Sequence, residues 1–379
     1  MKKSIRPLIA MLLSTVAFGT ARAEITIGVS LPLTGPASGL GIPTRNGVSM
    51  WADTIAGEKL KLIILDDASD PTQSAKNGHR FITEDKVDAI VGSTATPASL
   101  ALSAVAQEGR TVQISTSPVE LPEGKDAWTF RVAQSTALMA SALVEHMKKH
   151  GIKTYAYLGY SDAYGEAWLK SFDALAEKAG LTSVATERFA RSDTSVTAQS
   201  LKVTMAHPDA ILIGASGSGS AMPHKAIVER GYKGKIYQTH GAASRDLIRL
   251  GGKDVDGSIV VAGLAVMPEA LPVSHPSKKL ATEFVERYEQ QFGAGTRNQF
   301  SAHGYDAYLL LQAAAPVALK KARPGTAEFR TALKDALENS KGVTITQGVI
   351  RYSAKDHWGL EDNARVLLTI ENGEWKPAN

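Results

Sequence analysis

The chain has 379 residues, 44% of them hydrophobic and 21% charged, with a formal charge of +4 and no cysteine. The missing cysteines exclude disulfides, thiolate zinc sites, a cysteine nucleophile and a lipid anchor on an N-terminal cysteine. The charge does not point to nucleic acid, because the first 23 residues carry four of the basic groups, Lys2, Lys3, Arg6 and Arg22, and no acid.

Those first residues read as an export signal. Lys2, Lys3 and Arg6 precede an apolar run from Leu8 to Phe18, and Ala21-Arg22-Ala23 supplies the small-x-small pattern of a cleavage site. The run is roughly half of the 20 or so residues that a membrane span requires. Cleavage after Ala23 is therefore expected, giving an exported protein of zero net charge. Its Lys/Arg residues form no nucleic-acid footprint. The 356 residues that remain exceed a usual single core, so two domains are expected.

From Glu24 onward, short β-rich runs alternate with helical stretches, the pattern of parallel sheets covered by helices on both faces. A first series of strands is expected at Ile25–Val29, Leu60–Leu65, Ala89–Val91 and Thr111–Ile114. A second is expected at Thr154–Leu158, Thr182–Thr186, Ala210–Ile213, Lys235–Tyr237 and Ser258–Ala262. Starts about 20 to 35 residues apart suit one strand plus one crossover helix. Trp168, Phe172 and Leu175 share a helical face, as do Leu280, Phe284 and Tyr288. The segment Trp128–Ser135 has no strand-and-helix repeat and reads as a crossing between lobes. Val261–Pro272 reads as a second crossing and the β-rich tail Gly348–Lys376 as a third. The expected lobes are 24–133 plus 271–345, and 134–270 plus 346–379.

In open α/β sheets ligands sit beyond the carboxyl ends of the strands. Here the segments that follow the strands are rich in small hydroxyl residues: Leu31 to Gly39, Gly92-Ser93-Thr94-Ala95-Thr96-Pro97, Ser115-Thr116-Ser117-Pro118, and Gly214 to Ser220. Hydroxyls and amides ahead of a helix N-terminus suit an anion or carboxylate. The same residues also suit ordinary caps and turns. Asp66, Asp67 and Asp70 lack the spacing of a calcium loop and read as turn and cap residues. Gly217-Ser218-Gly219 lacks the third glycine of a dinucleotide loop, since position 222 is Met. No nucleophile elbow, zinc-helix or phosphate-loop motif is present. No catalytic residue, metal site or cofactor is expected.

Together these features resemble the leucine/isoleucine/valine-type periplasmic solute-binding proteins. The resemblance rests on Ile27-Gly28-Val29-Ser30-Leu31-Pro32-Leu33-Thr34-Gly35-Pro36, Asp66-Asp67 ahead of Asp70-Pro71, and Val91-Gly92-Ser93-Thr94. Phe130-Arg131, Tyr164-Gly165 and Tyr305-Asp306-Ala307 extend it along the chain. It implies two doubly wound parallel-sheet lobes joined by a multi-strand hinge, and delivery of a solute to the membrane permease subunits of an ATP-driven (ABC) importer. A monomer suits such a carrier. It further implies that Ser93, Thr94, Thr96 and the Ser115, Thr116, Ser117 loop grip a ligand carboxylate while Tyr164 flanks it. Leu40, Ala95, Ser216 and Gly217 are the remaining candidate contacts.

One departure bears on the ligand. Amino-acid-binding relatives place an acid in the second lobe to pair with the ligand ammonium, and here His240 takes that position. Between Gly214 and Ser244 the one acid is Glu229, at a helix end. Three readings follow. The ligand lacks an ammonium, as benzoate-like or phenylpropanoid acids do, and His240 hydrogen-bonds it; or the ligand is an amino acid and Asp162 supplies the charge; or His240 is a satisfied loop histidine. A small carboxylate with an aromatic body is favoured, captured by a transport receptor. An enzyme is disfavoured by the missing motifs, and a sensory module for a partner receptor stays open.

Overall fold

From Glu24 onward, the apolar runs of the first lobe become strands, and the amphipathic runs between them become the helices that cover them. The computed structural model describes residues 24–378, so the expected export signal lies outside the described residues. The chain opens with β1 (Glu24–Leu31), α1 (Ser38–Val48), the short β2 (Thr54–Ile55) and β3 (Glu58–Asp66). It continues through α2 (Pro71–Thr83), β4 (Ala89–Gly92), α3 (Thr96–Glu108), β5 (Val112–Ser115) and β6 (Thr129–Arg131). These strands form one sheet in the order β2-β3-β1-β4-β5-β6, parallel except for the β2–β3 hairpin. Every residue of β4 and β5 is buried, as expected of parallel strands covered on both faces.

The second lobe follows with α4 (Thr136–Lys149), β7 (Thr154–Tyr160), α5 (Ala163–Ala179), β8 (Thr182–Phe189) and α6 (Thr197–Met205). Then come β9 (Ala210–Gly214), α7 (Ala221–Val228), β10 (Lys235–Gln238), α8 (Arg245–Gly251) and β11 (Ile259–Ala262). The chain next runs through α9 (Lys278–Phe292), α10 (Gln299–Leu319), α11 (Ala327–Glu338), and the small hairpin of β12 (Val343–Ile345) and β13 (Gly348–Ile350). It ends in β14 (Val366–Glu371) and β15 (Glu374–Pro377). The second sheet has the order β15-β14-β11-β10-β9-β7-β8, with β14 and β15 antiparallel at one edge.

Both expected helical faces pack inward. Trp168, Phe172 and Leu175 join the second core, and Phe284 and Tyr288 join the first. One expectation differs: Trp128–Ser135 contains a strand, β6, paired in parallel with β5. Three ladder residues are too few to leave a periodic signal, so the segment reads as a bare crossing.

The lobes meet at a hinge made of buried glutamines. Gln134 donates to the Ala364 carbonyl at 2.8 Å. Gln299 Oε1 accepts from Gly263 N at 2.9 Å, and its Nε2 donates to the His240 carbonyl at 2.9 Å. Gly263 leaves no room for a side chain there, since a Cβ would stand 2.5 Å from Gln347 Oε1.

Two features behind the hinge fix the first-lobe side of the cleft. Helices α1 and α10 touch backbone to backbone: a Cβ on Gly47 would lie 1.9 Å from the Ser301 carbonyl oxygen, and one on Gly304 would lie 2.3 Å from that of Thr44. Buried Asp306 accepts from Thr346 N at 2.8 Å and from its hydroxyl at 2.9 Å. Burial outweighs those bonds and pushes the Asp306 carboxyl up to about 8, so it is neutral at pH 7. Asp306→Ala should cost about 2–4 kcal/mol by stranding both Thr346 donors, and Asp306→Asn much less, as urea unfolding will report.

Candidate functional site

The segments that leave β4, β5, β8, β9 and β10 all open toward the gap between the lobes. They enclose a small, tightly closed cavity together with the first turns of α5 and α10 and the side of α1. A larger hollow between Glu108, Arg110 and Arg330 lies at the far end of α3 on the first lobe, away from these strand tips.

The first-lobe wall is polar in its floor and apolar at its sides. Thr94 Oγ1 donates to Thr44 Oγ1 at 3.1 Å and pairs with Thr116 Oγ1 at 3.0 Å. Thr96 opens α3 and faces the same space. Leu40, Pro118, Ala133 and Phe300 supply the apolar sides, and His303 completes the wall. His303 Nε2 approaches Gln134 Oε1 at 3.4 Å, and its Nδ1 has no hydrogen-bond partner among the described residues.

The second-lobe wall consists of Tyr164, Arg191, Ser216, His240 and Gly241. Asp162 caps α5 by accepting from Tyr164 N at 2.9 Å and Gly165 N at 3.2 Å, and so sets Tyr164 at the cleft. The Tyr164 hydroxyl donates to Thr239 Oγ1 at 2.9 Å and accepts from Gly241 N at 3.0 Å. Burial raises its pKa well above the ordinary phenol value, keeping it protonated. Arg191 lies over the Tyr160 ring at 4.1 Å, bonds the Asp162 carboxylate through Nε, and donates from Nη1 to Ser216 Oγ at 2.9 Å.

His240 rests between Tyr164 and Trp168, with ring centroids 5.9 and 5.4 Å away. Its Nδ1 has no hydrogen-bond partner among the described residues. It is 2% exposed and His303 is 1% exposed. Burial lowers both rings to about 3, and His303 adds to the effect on His240, so both imidazoles are neutral.

Of the expected contacts, Leu40, Thr94, Thr96, Thr116, Tyr164, Ser216 and His240 face the cavity. The others stand behind it for identifiable reasons. Ser93 donates to buried Asp67 at 2.7 Å. Ser115 is tied to Ser99 at 2.8 Å and to the Ser117 carbonyl at 2.9 Å, which also turns Ser117 away. Ala95 packs with Leu40, Ala98 and Phe300. Gly217 has φ +56°, and a Cβ on it would come within 2.8 Å of Leu40 Cδ1 across the cleft, so it allows close approach of the lobes. Asp162 is already shared between the α5 cap and Arg191 and so is not a spare countercharge. Asp66, Asp67 and Asp70 hold turns and caps, with Asp70 accepting from Gln73 N at 2.7 Å. No group of three or more potential metal ligands occurs among the described residues.

Arg191, Phe300, His303, Ala133, Gly241 and Pro118 also line the cavity and are not among the contacts expected from the sequence. Arg191 was within reach, since it sits two residues beyond β8 and the rule of searching after each strand applies there as elsewhere. Phe300 and His303 left no local signal, because tertiary packing alone brings α10 to the cleft.

The periplasmic binding protein family profile matches residues 24–367. The chain belongs to this family. The family is one of solute-binding receptors rather than enzymes. An extracellular ligand-binding receptor from Rhodopseudomonas palustris HaA2 is 45% identical, with a TM-score of 0.93 covering 94% of this chain and 100% of that one. The Leu/Ile/Val-binding protein homolog 3 of Brucella melitensis is 24% identical, over 90% of this chain and 92% of its own. An R. palustris ABC-transporter solute binding protein in complex with benzoate shares the fold, with a TM-score of 0.77 and 17% identity over 93% of this chain and 95% of its own.

Proposed function

We propose that this periplasmic binding protein is the receptor of an ABC importer and captures a small organic acid with an apolar, aromatic body. One observation carries the reading: the cavity offers no free carboxylate to an ammonium. Where amino-acid binders carry an acid it presents His240, a neutral imidazole, and Asp162 is already engaged by Arg191. An ammonium enclosed there would lack a countercharge, a cost of several kcal/mol. Leu40, Pro118, Ala133 and Phe300 offer instead the flat apolar contact that suits a ring. The benzoate complex of a neighbour with the same fold is consistent with such a guest. Handover to membrane permease subunits follows from the importer role.

The names of the Leu/Ile/Val-binding relatives favour a second reading, a branched-chain amino acid. A thermal-shift screen of leucine, benzoate and hydroxycinnamates separates the two. A micromolar ligand at about 100 times its Kd should add about 2.7 kcal/mol of stability. We expect a shift with an aromatic acid and none with leucine; a leucine response without an aromatic one overturns the organic-acid reading.

A further inference from the structure

The organic-acid reading leaves open which lobe takes the negative end. The resemblance implies the first-lobe hydroxyls and backbone amides, all of them uncharged donors. We propose instead that Arg191 of the second lobe is the carboxylate-binding residue, so the ligand lies with its charge toward β8 and β9 and its other end toward Thr94 and Thr116. This rests on the organic-acid reading and concerns the same cavity.

The two walls differ in the donors they have to spare. On the first lobe, Ser93 is committed to Asp67, Ser115 to Ser99, and Thr94 to Thr44 and Thr116. That leaves Thr96 as the one cavity-facing first-lobe hydroxyl with no side-chain hydrogen bond to a described residue. On the second lobe, Arg191 carries five N–H donors. Two of them are used, Nε by Asp162 and one Nη1 hydrogen by Ser216. Its Nη2 donates to no described residue, although the side chain is only 15% exposed and lines the cavity. The free edge of the guanidinium therefore stays open on the cavity side, and a planar carboxylate matches its fork.

The site is also built to hold that fork still. The Tyr160 ring lies under the guanidinium at 4.1 Å, and the Tyr160 hydroxyl is itself anchored to the Ser216 carbonyl at 3.1 Å. Asp162 is fixed by its two cap bonds at the start of α5. Arg191 is therefore aimed, and the hydroxyl of Ser216 stands beside it as a second donor. The Asp162 carboxylate in turn holds the arginine's Nε.

This arrangement gives a test that a merely structural role would not pass. Affinities for cinnamate and its neutral amide, and for benzoate and benzamide, are measured by calorimetry on the wild type, Arg191→Gln, Thr96→Ala and Asp162→Asn. We expect the wild type to prefer carboxylate over amide by at least about 30-fold. Arg191→Gln should erase that preference with amide affinity little changed, and Thr96→Ala should keep it. Asp162→Asn keeps the α5 cap but offers an N–H donor where Arg191 Nε needs an acceptor, so it should loosen the guanidinium and weaken carboxylate binding several-fold with amide affinity little changed. If the wild type binds a carboxylate and Arg191→Gln keeps its preference, or Thr96→Ala abolishes it, the assignment to Arg191 is wrong while the organic-acid reading stands. If the wild type binds neither carboxylate, both fall together.

Discussion

Affinity for the organic acid should fall as the pH drops below about 6.5, by about 30-fold between pH 7.5 and 5 for each of His240 and His303 that must be neutral in the closed cleft. The two rings come from opposite lobes, line the same cavity and are both buried in this closed arrangement. An opened hinge returns each to water, where an imidazole titrates near 6.5. Burial in the closed structure lowers both to about 3. The sign follows from the depressed value in the closed form. Closure costs nothing in protonation above the open-state pKa, and below it each ring must shed a proton before the lobes can meet. The surrounding groups do not reverse this. His240 faces Tyr164, Trp168 and His303, and His303 faces Gln134, Phe300 and the Thr116 backbone; none of these is an acid. Arg191 in the same cavity disfavours protonation further, and the bound carboxylate pulls the other way. Calorimetric titration with cinnamate from pH 7.5 to 5 checks the slope. His240→Asn and His303→Asn should each flatten it by one proton's share, and a Kd independent of pH would show that closure does not require neutral rings.

Much of the fold was legible in the sequence because parallel strands buried on both faces cannot alternate. Ala89–Val91 and Ala210–Ile213 therefore stand out as continuous apolar runs, and both are strands of the central ladders. Strand β6 was not legible, since three residues between a loop and a crossing carry no period. The site was legible as a set of loops, because the strand-tip rule picks out the segments after β1, β4, β5 and β9, and the resemblance adds His240 after β10. It was not legible residue by residue. Whether Ser93 or Thr94 faces the ligand depends on the path of one loop, and the buried Asp67 carboxylate draws Ser93 inward. Tertiary packing supplied the rest: Gly47 and Gly304 let α1 and α10 touch, and that contact delivers Phe300 and His303 to a cleft built mostly by other parts of the chain.

His240→Asp should weaken binding of the organic acid by more than a hundredfold at pH 7.5, about 3 kcal/mol, the scale set by an uncompensated charge in a closed cavity. The imidazole now rests against Tyr164 and Trp168, and its backbone carbonyl is held by Gln299 Nε2. Aspartate keeps that backbone bond but places a carboxylate where the cavity has no second cation, since the Arg191 Nε already serves Asp162. Three carboxylates, those of Asp162, the new side chain and the ligand, would then share one guanidinium in a space of low dielectric, where like charges are poorly screened. The same substitution restores the acid that amino-acid binders place at this position, so a ligand bearing an ammonium gains the partner it lacks in the wild type. Leucine binding should therefore rise from undetectable as affinity for the organic acid collapses, both read in one thermal-shift plate. The amino-acid reading predicts the opposite starting point, with leucine bound by the wild type. If His240→Asp instead left the organic acid bound with wild-type affinity, the ligand would lie away from β10, and the second-lobe wall would have to be drawn around Arg191 and Ser216 without His240.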